Sequence, residues 1–316
     1  MNDPETCALC GAQKPTDTGR RHVDSGQEYK LYHCDACKGE WWDPLVNPGA
    51  SWYEHDERYA DRNHDPILDP NEKHRGVISY LGTATGRVLD VGCGTGNFLA
   101  YAESRGWKGW GIDFDADAIA AGSQALGLSR LTVADIHSFA KEQEPHSFDL
   151  VTFFDVLEHL DDHQSFMGTV EGLLVPNGKI AFSAPYRHGL RWLMPHDLPP
   201  RHLTRWDEES VRRFLDRNGY ELCTFVRVPA SVYFMALKFK FRYGMWSSLG
   251  LVKSVKGKSS SSEGSQSVSN STVSFVQRVA KAKDLILFGI PALLLWTALL
   301  PFSARYTDFY AIARKR

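Results

Sequence analysis

The stretch VLDVGCGTGNFL, residues 88–99, runs an apolar segment into an aspartate and then sets glycine at 92, 94 and 96. Residues 87–91, RVLDV, read as a buried strand. Residues 97–106, NFLAYAESRG, read as a helix closing on Gly106. The three glycines therefore fall in the turn between them. Glycine takes backbone angles that other residues resist, and it lets a ligand come close to the main chain. G-x-G-x-G between a strand and a helix points to a nucleotide site. Position 97 is Asn, so this is not the dinucleotide G-x-G-x-x-G, and no Gly-Lys-Ser/Thr of a phosphate loop follows. The Asp90 carboxylate beside the glycines suits a cationic or amine-bearing ligand better than a pyrophosphate.

Downstream segments supply companions. WKGWGID, 107–113, reads as the next strand and ends in Asp113. An acid there, about 20 residues past the glycines, can accept both hydroxyls of a ribose. LTVADI, 131–136, sets Asp135 and Ile136 where an adenine amine and ring face could be held, although an Asp before a helix is also a good N-cap. FDLVTFF, 148–154, runs into DVLEHL, in which Asp155 and His159 are four apart and could share a helical face. Ligands of open α/β sheets lie at the carboxyl ends of the strands, so these segments converge on one crevice.

In this order VLDVGCGTG, GID, ADI, FDLVTFFDVLEHL and LLVPNGKIAFSAP resemble the successive motifs of class I S-adenosylmethionine-dependent methyltransferases. The resemblance covers about residues 80–228 and the final strand-like segment DFYAIARKR. It implies an α/β fold, a doubly wound seven-stranded Rossmann-like sheet whose last strand is antiparallel. It also implies S-adenosylmethionine as cofactor, with Asp90, Gly92, Gly94 and Gly96 near its methionyl part. Asp113 then falls on ribose, Asp135 and Ile136 at adenine, and Asp155 in the segment beside the methionine end.

Cys7/Cys10 and Cys34/Cys37 form two CxxC pairs separated by 23 residues, while Cys93 and Cys223 stand alone. Two such knuckles present four thiolates to one metal, so the pairs predict a structural zinc in a small N-terminal zinc ribbon. A four-thiolate site is closed and leaves no position for a catalytic water. The polar N-terminus MNDPETCALCGAQ shows no cleavable signal, which favours a reducing compartment and metal ligation over disulfides.

A base for methyl transfer is expected after the fifth strand, where YRHGLRWLMPHDLPPRHLTRWDEESVRRFLDRNGY holds His188, His196 and His202. The last part reads as a helix stopped by Gly219 and resembles a segment of ubiquinone-biosynthesis and sugar-modifying methyltransferases. In zinc-containing sugar C-methyltransferases a Glu-His pair serves as base at this place. Here His202 matches, but position 201 is Arg, which leaves oxygen methylation open. His202 and then His196 are the candidate bases.

The chain has 316 residues, 43% of them hydrophobic, and a formal net charge of −2, so it can bury a full core and carries no global basic field for nucleic acid. The expected organisation is a zinc-ribbon-like module at 1–50, a helical connector at 51–80, a methyltransferase domain at 81–228 and 304–316, and an insertion at 229–303. The insertion holds the serine-rich GKSSSSEGSQSVSNST, 257–272, and the apolar LILFGIPALLLWTALLPF, 285–302. Residues 285–300 make about 24 Å of helix, short of the ~30 Å of a bilayer core. If the final strand returns to the sheet, a single span is excluded and a peripheral or re-entrant membrane contact remains. YFMALKFKFRYGMW, with Lys238, Lys240 and Arg242, suits an anionic lipid surface. The expectation is methyl transfer to an oxygen or carbon of a small-molecule acceptor, such as a lipid-linked sugar or isoprenoid lipid, in the cytoplasm or at the cytoplasmic face of a membrane. The alternatives are an RNA or protein methyltransferase with the ribbon as reader, and an inactive cofactor-binding scaffold.

Overall fold

Successive residues of the central strands point into two different cores. On β4 (Arg87–Val91), Leu89 joins one apolar cluster and Val88 the other. The same alternation holds on β7 (Phe148–Phe154), β8 (Leu174–Pro185) and β11 (Tyr306–Lys315): Val151, Phe182 and Phe309 lie on one side, Leu150, Ala181 and Ile312 on the other. A sheet buried on both faces needs such near-continuous apolar strands. The computed structural model describes residues 3–49, 52, 70–188, 197–232, 235–236, 289–299, 301–302 and 305–316.

Residues 1–228 and 306–316 form one compact unit, and 229–305 a second. The first unit contains a seven-stranded sheet of order β10-β11-β8-β7-β4-β5-β6, with β5 at Lys108–Asp113, β6 at Leu131–Val133 and β10 at Tyr220–Pro229. The pairings β4–β5, β5–β6, β4–β7 and β7–β8 are parallel, and β11 runs antiparallel to β8. Helices α1 (Glu72–Leu81), α2 (Asn97–Glu103), α3 (Ala116–Leu126), α4 (Ile136–Lys141), α5 (His163–Leu173) and α6 (Glu208–Arg217) accompany it. This is the doubly wound sheet with an antiparallel last strand that the sequence predicts.

The N-terminal ribbon is built from β1 (Thr16–Asp24), β2 (Gln27–His33) and β3 (Glu40–Asp43), all antiparallel. It does not stand apart as a separate body. Its sheet takes a fourth strand, β9 (Thr204–Arg205), from the segment after β8. Its Cys7, Leu9, Tyr32 and Trp41 share one apolar cluster with Trp206, Phe214 and Leu215. About fifty residues offer too little core of their own, and this one is completed by borrowing.

In the second unit, α7 (Ile290–Leu299) is apolar but for Thr297 and exposes Ile290, Leu293 and Leu294. The Trp296 Nε1–H donates to the Ala230 carbonyl at 2.8 Å, and the Ala230 amide donates to Arg305 O at 2.7 Å. Among the described residues no helix is long and apolar enough to cross a membrane.

Candidate active site and metal centre

The glycine turn is shaped by backbone angles only glycine takes readily. Gly92, Gly94 and Gly96 have φ of 72°, 53° and 81°. A Cβ on Gly92 would lie 2.7 Å from Val156 Cγ2, whereas one on Gly94 would meet nothing within 4 Å among the described residues. The loop is therefore pressed against the end of β7 on one side and open to a ligand at Gly94.

Two carboxylates flank this loop. Asp90 is 3% exposed, and its Oδ1 accepts from Thr152 Oγ1 at 2.6 Å. Burial pushes its carboxyl up to about 7, with the Asp113 charge adding to the effect. Asp113 ends β5. Its Oδ2 accepts from the Gly94 amide at 2.8 Å and its Oδ1 from the Asp115 amide at 3.0 Å. Burial raises this carboxyl as well, against the two amides. Next to it, Phe114 is 60% exposed, and Val133 at the end of β6 is also exposed.

Asp135 takes the capping role. Its Oδ1 accepts from the His137 and Ser138 amides at the start of α4, and its Oδ2 from Ser138 Oγ. Ile136 is buried in the same apolar cluster as Phe139. Asp155 and His159 share no helical face, because Asp155 lies before a single 3₁₀ turn, Leu157–His159, in the left-handed region at φ 55°. The turn is pinned by other elements. The Asp155 amide donates to Ser183 O at 3.0 Å, its Oδ1 accepts from Ser183 Oγ at 2.8 Å, and Lys73 Nζ of α1 pairs with both its oxygens at 2.6 and 2.7 Å. The surrounding protein partly desolvates this carboxyl, whose side chain stays 47% exposed, but the Lys73 ammonium and the Ser183 hydroxyl outweigh that and hold it well below the usual range.

A second cluster lies three residues beyond Asp155. Glu158 is 1% exposed, its Oε2 has no hydrogen-bond partner among the described residues, and burial drives its carboxyl well above the ordinary value. Its Oε1 is 4.0 Å from His202 Nε2, and Asp197 Oδ1 is 3.6 Å from His202 Nδ1. The His159 ring meets the His202 ring edge-on at 4.9 Å, while His159 Nδ1–H donates to Arg201 O at 2.7 Å. Glu158, His159 and His202 thus offer ligand atoms within 4.8 Å of one another and could hold a metal ion. Position 201 is Arg, and the glutamate nearest His202 among the described contacts comes from position 158. His188 is committed elsewhere, 3.0 Å from the Asp207 carboxylate that caps α6, and His196 lies outside the described residues. Sequence reasoning missed Glu158, Lys73 and Phe114. The adjacent Glu158-His159 pair was the only local signal among them.

The four N-terminal cysteines come together. Cys7 Sγ is 3.8 Å from Cys37 Sγ, Cys10 Sγ is 3.7 Å from Cys34 Sγ, and all four sulfurs lie within 4.8 Å. Four sulfurs about 2.3 Å from one zinc form a tetrahedron with edges of about 3.8 Å. Each knuckle closes through a residue with positive φ, Gly11 and Lys38, whose amides donate to Cys7 O and Cys34 O. The donor set and spacing fit a structural zinc.

A methyltransferase domain family matches residues 52–224, more than half of the chain. The chain belongs to that family, the S-adenosylmethionine-dependent methyltransferases of the class I fold, here with a zinc-ribbon-like N-terminal module. A ubiquinone biosynthesis O-methyltransferase of Sodalis glossinidius (strain morsitans) is 32% identical over 234 residues, 70% of this chain and 79% of that protein. The protein of the same name from Klebsiella pneumoniae (strain 342) is 32% identical over 125 residues, and this match spans about half, 52%, of its length. Among solved structures, phosphoethanolamine N-methyltransferase 2 of Haemonchus contortus, in complex with S-adenosyl-L-methionine, aligns with TM-score 0.52 at 16% identity, over 94% of this chain and 71% of that one. That likeness concerns the fold alone.

Proposed function

We propose that this chain transfers the methyl group of S-adenosylmethionine to an oxygen of a small, lipid-like acceptor. The observation that carries the reading is the Glu158–His202 pair, set two residues from the Val156 side chain that packs against the glycine loop. Asp90 faces the cationic methionyl end, Asp113 takes the ribose hydroxyls, and Phe114 with Val133 supplies apolar contact for adenine. When bound, S-adenosylmethionine would supply a methyl group already activated on sulfur, for bonding to the acceptor oxygen with the C–S electron pair leaving on the thioether. His202 takes the acceptor's hydroxyl proton, with the Glu158 carboxyl 4.0 Å from its Nε2 to orient the ring. His202→Ala should cut turnover by about 10²–10⁴-fold with cofactor affinity kept. Full activity in that variant would refute the assignment. A second reading rests on the same cluster: a divalent cation held by Glu158, His159 and His202 would acidify an acceptor hydroxyl. Activity restored to chelated enzyme by Mg²⁺ or Mn²⁺, with the ribbon zinc retained, would favour it.

The lipid-like acceptor is supported by the names of the relatives and by the second unit. Residues 229–305 carry ten Lys and Arg against two Asp and Glu, so they are strongly basic within a chain of net charge −2. A basic segment with an exposed apolar helix suits contact with an anionic lipid surface from one side. Methyl-labelled S-adenosylmethionine incubated with enzyme and cell extract tests the acceptor. Label partitioning into the organic phase supports a lipid acceptor, and label confined to the aqueous phase overturns it. Failure to co-sediment with anionic vesicles would remove the membrane contact.

A further inference from the structure

We infer that the metal ribbon is a positioning element for the acceptor site, acting through Glu40 and β3 on His202 and the Glu158–His159 turn. The inference rests on the reading of His202 as the base.

The chain of contacts starts at the second knuckle. The Cys34 amide donates to Gly39 O at 3.0 Å, which fixes the entry to β3. On β3, Glu40 and Trp41 pair with Arg205 and Thr204 of β9, and the Trp42 amide donates to Leu203 O at 2.8 Å. Leu203 is the residue after His202, and its own amide donates to Glu158 O at 2.7 Å. The backbone on the C-terminal side of His202 is thus held between the ribbon on one edge and Glu158 on the other. Beyond β3 the chain reaches the same turn again: Asn47 Nδ2 donates to His159 O at 2.7 Å, and the Asn47 amide to Asp161 Oδ2 at 3.1 Å.

Glu40 gives this contact its charge. Its Oε2 accepts from Arg205 Nη1 at 2.7 Å, and its Oε1 lies 3.9 Å from Arg187 Nε. All three side chains are largely buried, so the pairing is screened less than a surface one. It ties β9 and the start of the segment leaving β8 to the ribbon. A two-residue strand has little pairing of its own. Without the ribbon edge, residues 202–205 lose the partner that sets their register, and His202 loses its fixed distance to Glu158.

Two perturbations of the full chain test this: removal of the ribbon metal by a chelator, and Glu40→Gln. The primary readout is deuterium exchange in peptides covering 202–206 and 157–161, compared with peptides from β4, β7 and β8. Exchange in the first two should rise by about tenfold or more, the effect of losing one hydrogen bond to a charged group. The sheet peptides should stay protected and the cofactor dissociation constant unchanged, while kcat falls. Glu40→Asp should recover part of the loss. Unchanged exchange at 202–206 would overturn the inference. So would exchange that rises equally throughout the sheet with loss of cofactor binding, which would make the ribbon a general staple. Exchange is read without turnover, so a local exchange response in a chain that transfers no methyl group would count against the proposed function and not against the coupling.

Discussion

Replacing Asp90 by Asn tests whether the cofactor crevice holds a buried negative charge at a cost that a cationic ligand relieves. Asp90 is almost fully enclosed, and its carboxyl is pushed from the ordinary 3.8 up to about 7. In the unfolded chain the group ionises near 4. Between pH 4 and 7 the folded state therefore binds the extra proton, so stability falls as pH rises through that window. Above pH 7 both states are ionised and the full cost stands, about 4 kcal/mol. At pH 5 only about 1.7 kcal/mol of it has appeared. Asparagine keeps the acceptor for Thr152 but adds an amide with no assigned partner, which costs about 1–3 kcal/mol at every pH. The test is therefore the pH dependence of the difference and not its sign at one pH. Urea unfolding of wild type and Asp90→Asn, without cofactor, should show the variant gaining about 2.5 kcal/mol on wild type between pH 5 and pH 8. S-adenosylmethionine should then stabilise the wild type more than the variant at pH 8. A stability difference that stays constant from pH 5 to pH 8 would refute the reasoning.

Asp113→Ala removes the acceptor of the Gly94 and Asp115 amides as well as the proposed ribose ligand. Calorimetry should show S-adenosylmethionine binding weakened at least tenfold, and unchanged affinity would remove the ribose assignment. Cys34→Ser should release the ribbon metal, measured as metal content of the purified protein, and full retention would refute the four-thiolate site. His163 is buried with its ring nitrogen on Leu157 O, and burial lowers it to about 4. The unfolded chain binds that proton first, so stability is lost as pH falls from about 6.5 to about 4, by about 3 kcal/mol for this group. His163→Gln should flatten that acid limb of the wild-type curve. An unaltered limb in thermal melts at pH 4.5 and 6.5 would show that His163 does not cause it.

What was legible in the sequence was local. The strand, glycine turn and helix at 87–103 are contiguous, so the residue pattern specifies the angles directly. The same holds for each CxxC knuckle. The ends of β5 and β7 could be read from apolar runs stopped by acids. Asp135 was ambiguous because capping and ligand binding ask for the same residue type at the same place, and the cap satisfies two amides and a hydroxyl. Asp155 defied the helical spacing because Ser183 and Lys73, remote in sequence, hold it in a left-handed conformation. The Glu158–His202 pair is brought together by hydrogen bonds between segments remote in sequence, the Leu203 amide to Glu158 O and His159 Nδ1 to Arg201 O among them, which no periodicity reports. Lys73 lay in a segment read only as a helical connector, where nothing local marks it as a partner of Asp155. β9 is two residues long and has no strand signature of its own.

The place of β11 between β8 and β10 has a consequence for how the molecule comes into being. During synthesis β10 is made first, then the whole of 229–305, and only then the strand that separates β10 from β8. Until β11 emerges, β8 presents an open edge and Phe182 lacks its edge-on neighbour Phe309. An early β8–β10 pairing would close the sheet without its interior strand and would have to be undone. The basic, serine-rich stretch works here as a delay line as well as a segment. Its length sets how long the nascent sheet waits, exposed, for its penultimate strand in space and its last in time.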